Sequence, residues 1–161
     1  MLFAWRCWAA TNVYGTIPEW NNITDIGGCY SGCTRLRGPI PDFPNHVAHG
    51  YGGAVYANCF NLTGTIPALS STNIKNMNSM FINCSSLSGA IPKLPSEISS
   101  MNNTFTGCAG LNGFWPGATV HETCPDTVGT EYYTDCYKEC SDAVRNLAYQ
   151  SWGGEIPNSA T

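Results

Sequence analysis

One phrase recurs along this chain: an aromatic residue, two residues, Cys, two residues, Leu, one residue, Gly, one residue, Ile-Pro. It reads Tyr30-x-x-Cys33-x-x-Leu36-x-Gly38-x-Ile40-Pro41, then Tyr56-x-x-Cys59-x-x-Leu62-x-Gly64-x-Ile66-Pro67, then Phe81-x-x-Cys84-x-x-Leu87-x-Gly89-x-Ile91-Pro92. A fourth copy runs Phe105-x-x-Cys108-x-x-Leu111-x-Gly113 before the wording changes at Trp115-Pro116. Successive cysteines are 26, 25 and 24 residues apart. A fixed period of this length means that each unit buries its apolar edge only against its neighbours, so the repeat dictates a quasi-one-dimensional stack. An earlier, degenerate turn is anchored on Gly15-Thr16-Ile17-Pro18, with Val13 in the leucine column, Ala10 in the cysteine column and Cys7 in the aromatic column.

Other columns keep the same beat. Ile23, Ile74 and Ile98 recur, followed three residues later by Ile26, Met77 and Met101, while Trp20, Phe43, Leu69 and Leu94 each stand two residues after a proline. Leu-x-Gly-x-Ile predicts a short strand with alternate residues inward, ended by the proline. The fold expected is a repeat solenoid: a coil of short parallel strands with a mostly irregular back side and about five or six turns. Strands stacked roughly 4.8 Å apart make this a rod only about 25–30 Å long.

After Gly117 the phrase fails, apart from an echo at Tyr133-x-x-Cys136. Residues 134–152 place Cys136, Cys140, Ala143, Val144, Leu147 and Ala148 on one helical face, with Gly153-Gly154 as a stop signal. The expected organisation is a solenoid over 1–117 and a C-terminal cap with a helix over 118–161, because the last turn's apolar edge needs a cover. Gly154-Glu155-Ile156-Pro157 repeats the strand ending.

The chain resembles the leucine-rich repeat superfamily. Phe81-x-x-Cys84-Ser85-Ser86-Leu87, preceded by Asn73-Ile74-Lys75-Asn76-Met77-Asn78-Ser79-Met80, is similar to the BspA-like repeats of bacterial surface proteins, which also occur in viral and phage fibres. The Gly-x-Ile-Pro ending is closer to extracellular plant-type repeats, and Gly stands where a second strand Leu or Ile is common. The resemblance covers roughly residues 7–117. It implies recognition of proteins or glycans rather than catalysis.

Charged residues make up only 11% of the chain and the net charge is −4, so the solvated face must be built from Ser, Thr, Asn and Gly. The seven basic residues are scattered, which argues against a phosphate-binding stripe and against nucleic acid. No stretch reaches the roughly eighteen apolar residues of a membrane span. The apolar start, Met1-Leu2-Phe3-Ala4-Trp5-Arg6, lacks a basic n-region and reads as an N-terminal coil rather than a signal peptide.

Nine cysteines divide into two groups. Cys33, Cys59, Cys84 and Cys108 form the column and read as buried small apolar thiols, although adjacent turns would bring their α-carbons near disulfide range. Cys7, Cys29, Cys124, Cys136 and Cys140 lie outside it and are the disulfide candidates, with an odd total leaving at least one thiol over. The pairs considered for tying down the cap are Cys124 with Cys136 or Cys140.

The chain carries no nucleophile elbow, phosphate loop or metalloprotease motif, and no cofactor or metal is expected. His46-x-x-His49 lies near Asp42 without an evident third ligand, and Cys136-x3-Cys140 fits no standard zinc spacing. Binding must come from outward positions on the strand face: Tyr14, Arg37, Thr63, Ser88 and Asn112, with Thr16, Pro39, Thr65, Ala90 and Phe114 beside them. Hydroxyls, amides and rings in one strip suit a glycan, whose faces stack on aromatics while its hydroxyls exchange hydrogen bonds. The 45–57 loop, with His46, His49 and Tyr51, is the second expected site. Four Asn-x-Ser/Thr sequons at Asn22, Asn61, Asn83 and Asn102 read mainly as turn formers whose side chains bond stacked backbone.

The function expected is a non-catalytic recognition or adhesion module, extracellular on a cell surface or on a phage or virus fibre, contacting a host protein or glycan without entering a membrane. The alternative is a structural spacer, cap or assembly subunit that self-associates within a larger fibre.

Overall fold

A computed structural model of the chain describes residues 13–20, 23, 25–118 and 135–151. Cys7, Ala10, Asn22, Cys124, Tyr133 and the 154–157 strand ending lie outside the described residues. Strand β1 (Tyr14–Gly15) pairs in parallel with β2 (Arg35–Leu36), and β3 (Gly89–Ile91) pairs in parallel with β4 (Leu111–Phe114). Parallel bridges from Gly38 to Leu62 and from Gly64 to Leu87 carry the same pairing through the intervening repeats. A second line of parallel bridges joins Tyr51 to Asn76 and Asn76 to Ser100.

The strand register is not the one that aligning the repeats suggests. Each glycine of the phrase pairs with the leucine of the next repeat, as in Gly15 with Leu36 and Gly89 with Leu111, rather than with the next glycine. A bulge between Gly89 and Ala90 then shifts the register, so that Ala90 meets Gly113 and Ile91 meets Phe114. Gly89 shows why glycine holds this column: its φ is +78°, and an added Cβ would lie 2.8 Å from Thr65 Cγ2 of the preceding repeat.

Around the aromatic and cysteine positions the repeats are tied tightly. Tyr30, Tyr56, Phe81 and Phe105 donate their backbone N–H to Val55, Met80, Thr104 and Cys136 one repeat further on, at 2.9, 3.0, 3.0 and 2.9 Å. Flanking amides do the same, including Ala54 to Asn78 and Asn83 to Thr106. Within each repeat the chain makes two tight turns in succession, closed for example by Met80 N–H to Met77 O and Cys84 N–H to Phe81 O. The third residue of each turn is left-handed: Gly28, Ala54, Ser79, Asn103 and Asp135 before the aromatic, and Gly32, Asn58, Asn83, Gly107 and Glu139 after it. Such turns favour Gly and Asn, which explains much of the small polar residue content of these loops.

The apolar columns form one continuous buried cluster. It holds Leu36, Leu62, Leu87 and Leu111, then Ile17, Ile40, Ile66 and Ile91, and the post-proline set Trp20, Phe43, Leu69 and Leu94. Through its middle runs a stack of rings, Tyr30, Tyr56, Phe81, Phe105 and Tyr137, with centroids 5.7–6.0 Å apart and planes within 22° of parallel. Gly52 leaves a gap in the Ile26/Met77/Met101 column, and Ile74 fills it, with its Cγ2 3.1 Å from where a Gly52 Cβ would stand.

Tyr137 at the end of that stack changes the reading of the C-terminal region. Phe105 and Gly107 bond to Cys136 and Lys138, Tyr137 stacks on Phe105, and Cys140 Sγ donates to Phe105 O at 3.0 Å. The next copy of the phrase is therefore Tyr137-x-x-Cys140, and the echo at Tyr133-x-x-Cys136 is out of register by four residues. Repeat contacts extend past 117 to Cys140, and the helix α1 (Asp142–Ser151) is shorter than the 134–152 expectation, with both cysteines ahead of it. Helix α1 packs against β4, the last strand of the described ladder.

Candidate functional site

Alternation along the strands sorts the side chains. Leu36, Leu62, Leu87 and Leu111 turn inward, leaving Arg37, Thr63, Ser88 and Asn112 exposed, with Tyr14 75% exposed at the head of the row. Thr16, Pro39 and Thr65 are also exposed, and Ala90 and Phe114 are half-buried. Phe114 leans inward, its ring meeting Trp115 and Tyr137 edge-on at 6.1 and 5.5 Å, so it contributes packing as much as outer surface. Because of the strand register, Tyr14 lies beside Arg35 rather than Arg37, with the Arg35 guanidinium 5.7 Å from the ring centroid. Arg35 was not among the expected residues, yet the flanking of inward Leu36 by Arg35 and Arg37 was a readable sign.

In the 45–57 loop the chain makes a short 3-10 turn over Ala48–Gly50. Val47 is fully buried, and the Asn73 side chain clamps it like a neighbouring strand, accepting from Val47 N–H at 2.6 Å and donating to Val47 O at 2.9 Å. His46 and His49 are left exposed on either side of it, His49 in a left-handed conformation. Among the described residues no group of three His, Cys, Asp or Glu side chains converges as a metal site. Tyr51 is 49% exposed and wedged between Gly27 and Gly53, where an added Cβ would fall 2.4 and 2.8 Å from its ring. The ring is thus anchored by missing side chains, apart from the strand row.

The cysteine column has its own chemistry. Cys59, Cys84, Cys108 and Cys140 donate Sγ–H to Tyr30, Tyr56, Phe81 and Phe105 carbonyls at 3.0, 3.1, 3.0 and 3.0 Å. Those carbonyls also accept the N–H of Cys33, Cys59, Cys84 and Cys108 within their own turns, so each oxygen uses both lone pairs. A small side chain with a donor fits here, where Ala or Val would supply none. Burial, reinforced by the neighbouring Cys33 thiol, pushes the Cys59 thiol up to about 12, and burial likewise pushes Cys140 up to about 12. Burial raises Cys84 and Cys108 as well, with adjacent thiols of the column adding to it.

Three of the disulfide candidates lie in packed columns, while Cys7 and Cys124 fall outside the described residues. Cys140 belongs to the thiol column, and Cys29 Sγ donates to Asp25 O at 3.5 Å. Cys29 and Cys136 occupy one further column, the position before the aromatic, with Val55, Met80 and Thr104 stacked between them, which puts them out of reach of each other. Thr104 is tolerated in that dry column because its hydroxyl lies 2.8 and 2.7 Å from the Met77 and Met101 carbonyls. Of the sequon asparagines, Asn61 donates to Thr34 O at 2.6 Å and Asn83 donates to Asn58 Oδ1 at 2.8 Å, both across repeats.

These thiols give a measurable expectation. Native-state alkylation at neutral pH should leave Cys59 and Cys84 unmodified over the time in which denatured chain reacts fully, and rapid labelling of both would contradict their burial. The sign of the pH dependence follows from linkage. Raised folded values mean that the native state keeps protons the unfolded chain releases, so this stabilisation is complete below the ordinary thiol value of 9.0 and declines as pH rises from there toward 12. Denaturant melts between pH 8 and 11 should show that loss.

No family model matches this chain, and comparison with the curated proteins and with the solved structures returned no match.

Proposed function

We propose that the chain is a leucine-rich-repeat-like solenoid acting as a non-catalytic recognition module on a cell surface or on a phage or virus fibre, with a host protein or glycan as its ligand. The observation that carries this reading is the exposed row Tyr14, Arg37, Thr63, Ser88 and Asn112, held over successive repeats by an inward leucine column. A stack of this kind presents a fixed strip of small hydroxyl and amide groups. Ordering such a strip in advance lowers the entropic cost of binding a polar ligand. The buried thiol column supports a chain that folds where thiols stay reduced, in keeping with a fibre protein assembled before export or release.

A glycan-array screen of the purified chain, run beside light scattering, tests the proposal. Selective glycan binding by a monomer is the expected result. Silence on the array together with ordered self-association would overturn it in favour of an assembly subunit.

A further inference from the structure

We infer that the β1–β2 corner is an acidic-sugar site, with Arg37 as the carboxylate-binding group, Arg35 beside it and Tyr14 as the ring against which the sugar lies. The inference rests on the glycan arm of the proposed function and names its ligand class.

The protein carries a net charge of −4, and of its six described basic side chains three meet carboxylates among the described residues: Lys75 with Glu97 at 2.8 Å, Lys138 with Asp135 at 3.6 Å, and Arg145 with Asp142. Arg35 and Arg37 depart from this pattern. Among the described residues neither meets a carboxylate, and Arg35 is turned onto the Tyr14 ring instead. Inward Leu36 between them forces both onto the outer face, about 7 Å apart along the strand. Two like charges thus lie side by side on the outer face with no carboxylate partner among the described residues.

The surroundings select among anions. Two guanidiniums are too few for a polyanion such as nucleic acid, whose binding needs many phosphate contacts and would meet repulsion from the rest of this acidic chain. Exposed Thr16, Thr63 and Thr65 lie on the same strand face, so the corner offers hydroxyl partners and one large ring rather than the apolar centre of a protein-binding hot spot. A guanidinium fork matches a carboxylate with two parallel hydrogen bonds. Arg37, whose fork meets no carboxylate among the described residues, makes that contact, whereas Arg35 is oriented by Tyr14 and raises the local potential.

The probe is 3′-sialyllactose against lactose, with a Glu-rich peptide as the competing class, measured by calorimetry on the full chain. Sialyllactose should bind at least about tenfold tighter than lactose. Arg37→Ala should remove that preference, and Arg37→Lys should restore only part of it because a point charge replaces the fork. Lys75→Ala should leave it unchanged, and unaltered melting would show that each variant is folded. Equal binding of the two sugars, or an unchanged preference in Arg37→Ala, would overturn the inference while leaving glycan recognition in place. Binding of the peptide but of neither sugar would overturn it in favour of an acidic protein partner. Absence of any glycan binding on the array would remove both.

Discussion

Phe81→Ala should cost about 3–5 kcal/mol of folding stability, toward the upper part of the range for buried aromatic truncations. Its ring sits in the middle of the stack, 6.0 Å from Tyr56 and 5.7 Å from Phe105, with Phe43 edge-on at 6.3 Å. The void cannot readily collapse, because Phe81 N–H to Thr104 O and Tyr56 N–H to Met80 O hold the repeats at their spacing. Urea melts of the variant should show a lowered midpoint with an unchanged slope, the mark of lost stability without a change in the surface exposed on unfolding. A loss below about 1 kcal/mol would mean that the rings are not stacked in solution. Tyr14→Ala, at the exposed end of the row, should stay within about 0.5 kcal/mol.

A second large effect comes from adding one methyl group. In Gly110→Ala the new Cβ would lie 2.2 Å from Leu87 O and 3.2 Å from Ser85 O, both backbone atoms of the preceding repeat. No side chain can rotate away, so the two repeats must separate where Leu111 pairs with Gly89. Overpacking against backbone of this kind is expected to cost about 3 kcal/mol or more. Asn112→Ala, two residues on and exposed, should change stability by less than about 0.5 kcal/mol. Thermal melts of the pair separate the effects, and equal stabilities would contradict the close approach of the two repeats.

Much of this architecture was readable from spacing, because a residue that recurs at a fixed column does so under the same packing demand in every repeat. The leucine, isoleucine and aromatic columns announce themselves in this way, as do the outward residues between them. Hydrogen-bond register is a different matter. Alignment places Gly15 with Gly38, whereas the backbone pairs Gly15 with Leu36, and nothing in a column of like residues encodes that offset. It is this offset that brings Arg35 rather than Arg37 against Tyr14.

The C-terminal repeat was hidden by two circumstances. The cysteine spacing stretches to 32 residues between Cys108 and Cys140, and Tyr133-x-x-Cys136 offers a decoy four residues early. Ring stacking and the thiol bond to Phe105 decide the register, and both are tertiary facts. Left-handed turn positions were legible where Gly or Asn fills them, and opaque at Ala54, Asp135 and Glu139, where inter-repeat packing holds residues in a conformation their own propensity disfavours. In the loop, His46 and His49 caught the eye as chemistry, but Val47 between them is the buried residue that sets the local path.

Everything proposed for the outward row depends on the repeats lying side by side in the observed register. Native-state amide hydrogen exchange tests that most directly, since exchange reports each donor separately. Slow exchange is expected at Tyr30, Tyr56, Phe81 and Phe105, which donate to the following repeat, and at Arg37, Thr63 and Ser88, which donate to the preceding one at 2.8–2.9 Å despite exposed side chains. Rapid exchange at Thr63 and Ser88 in the folded chain would mean that the strand ladder, and with it the proposed binding strip, is not formed.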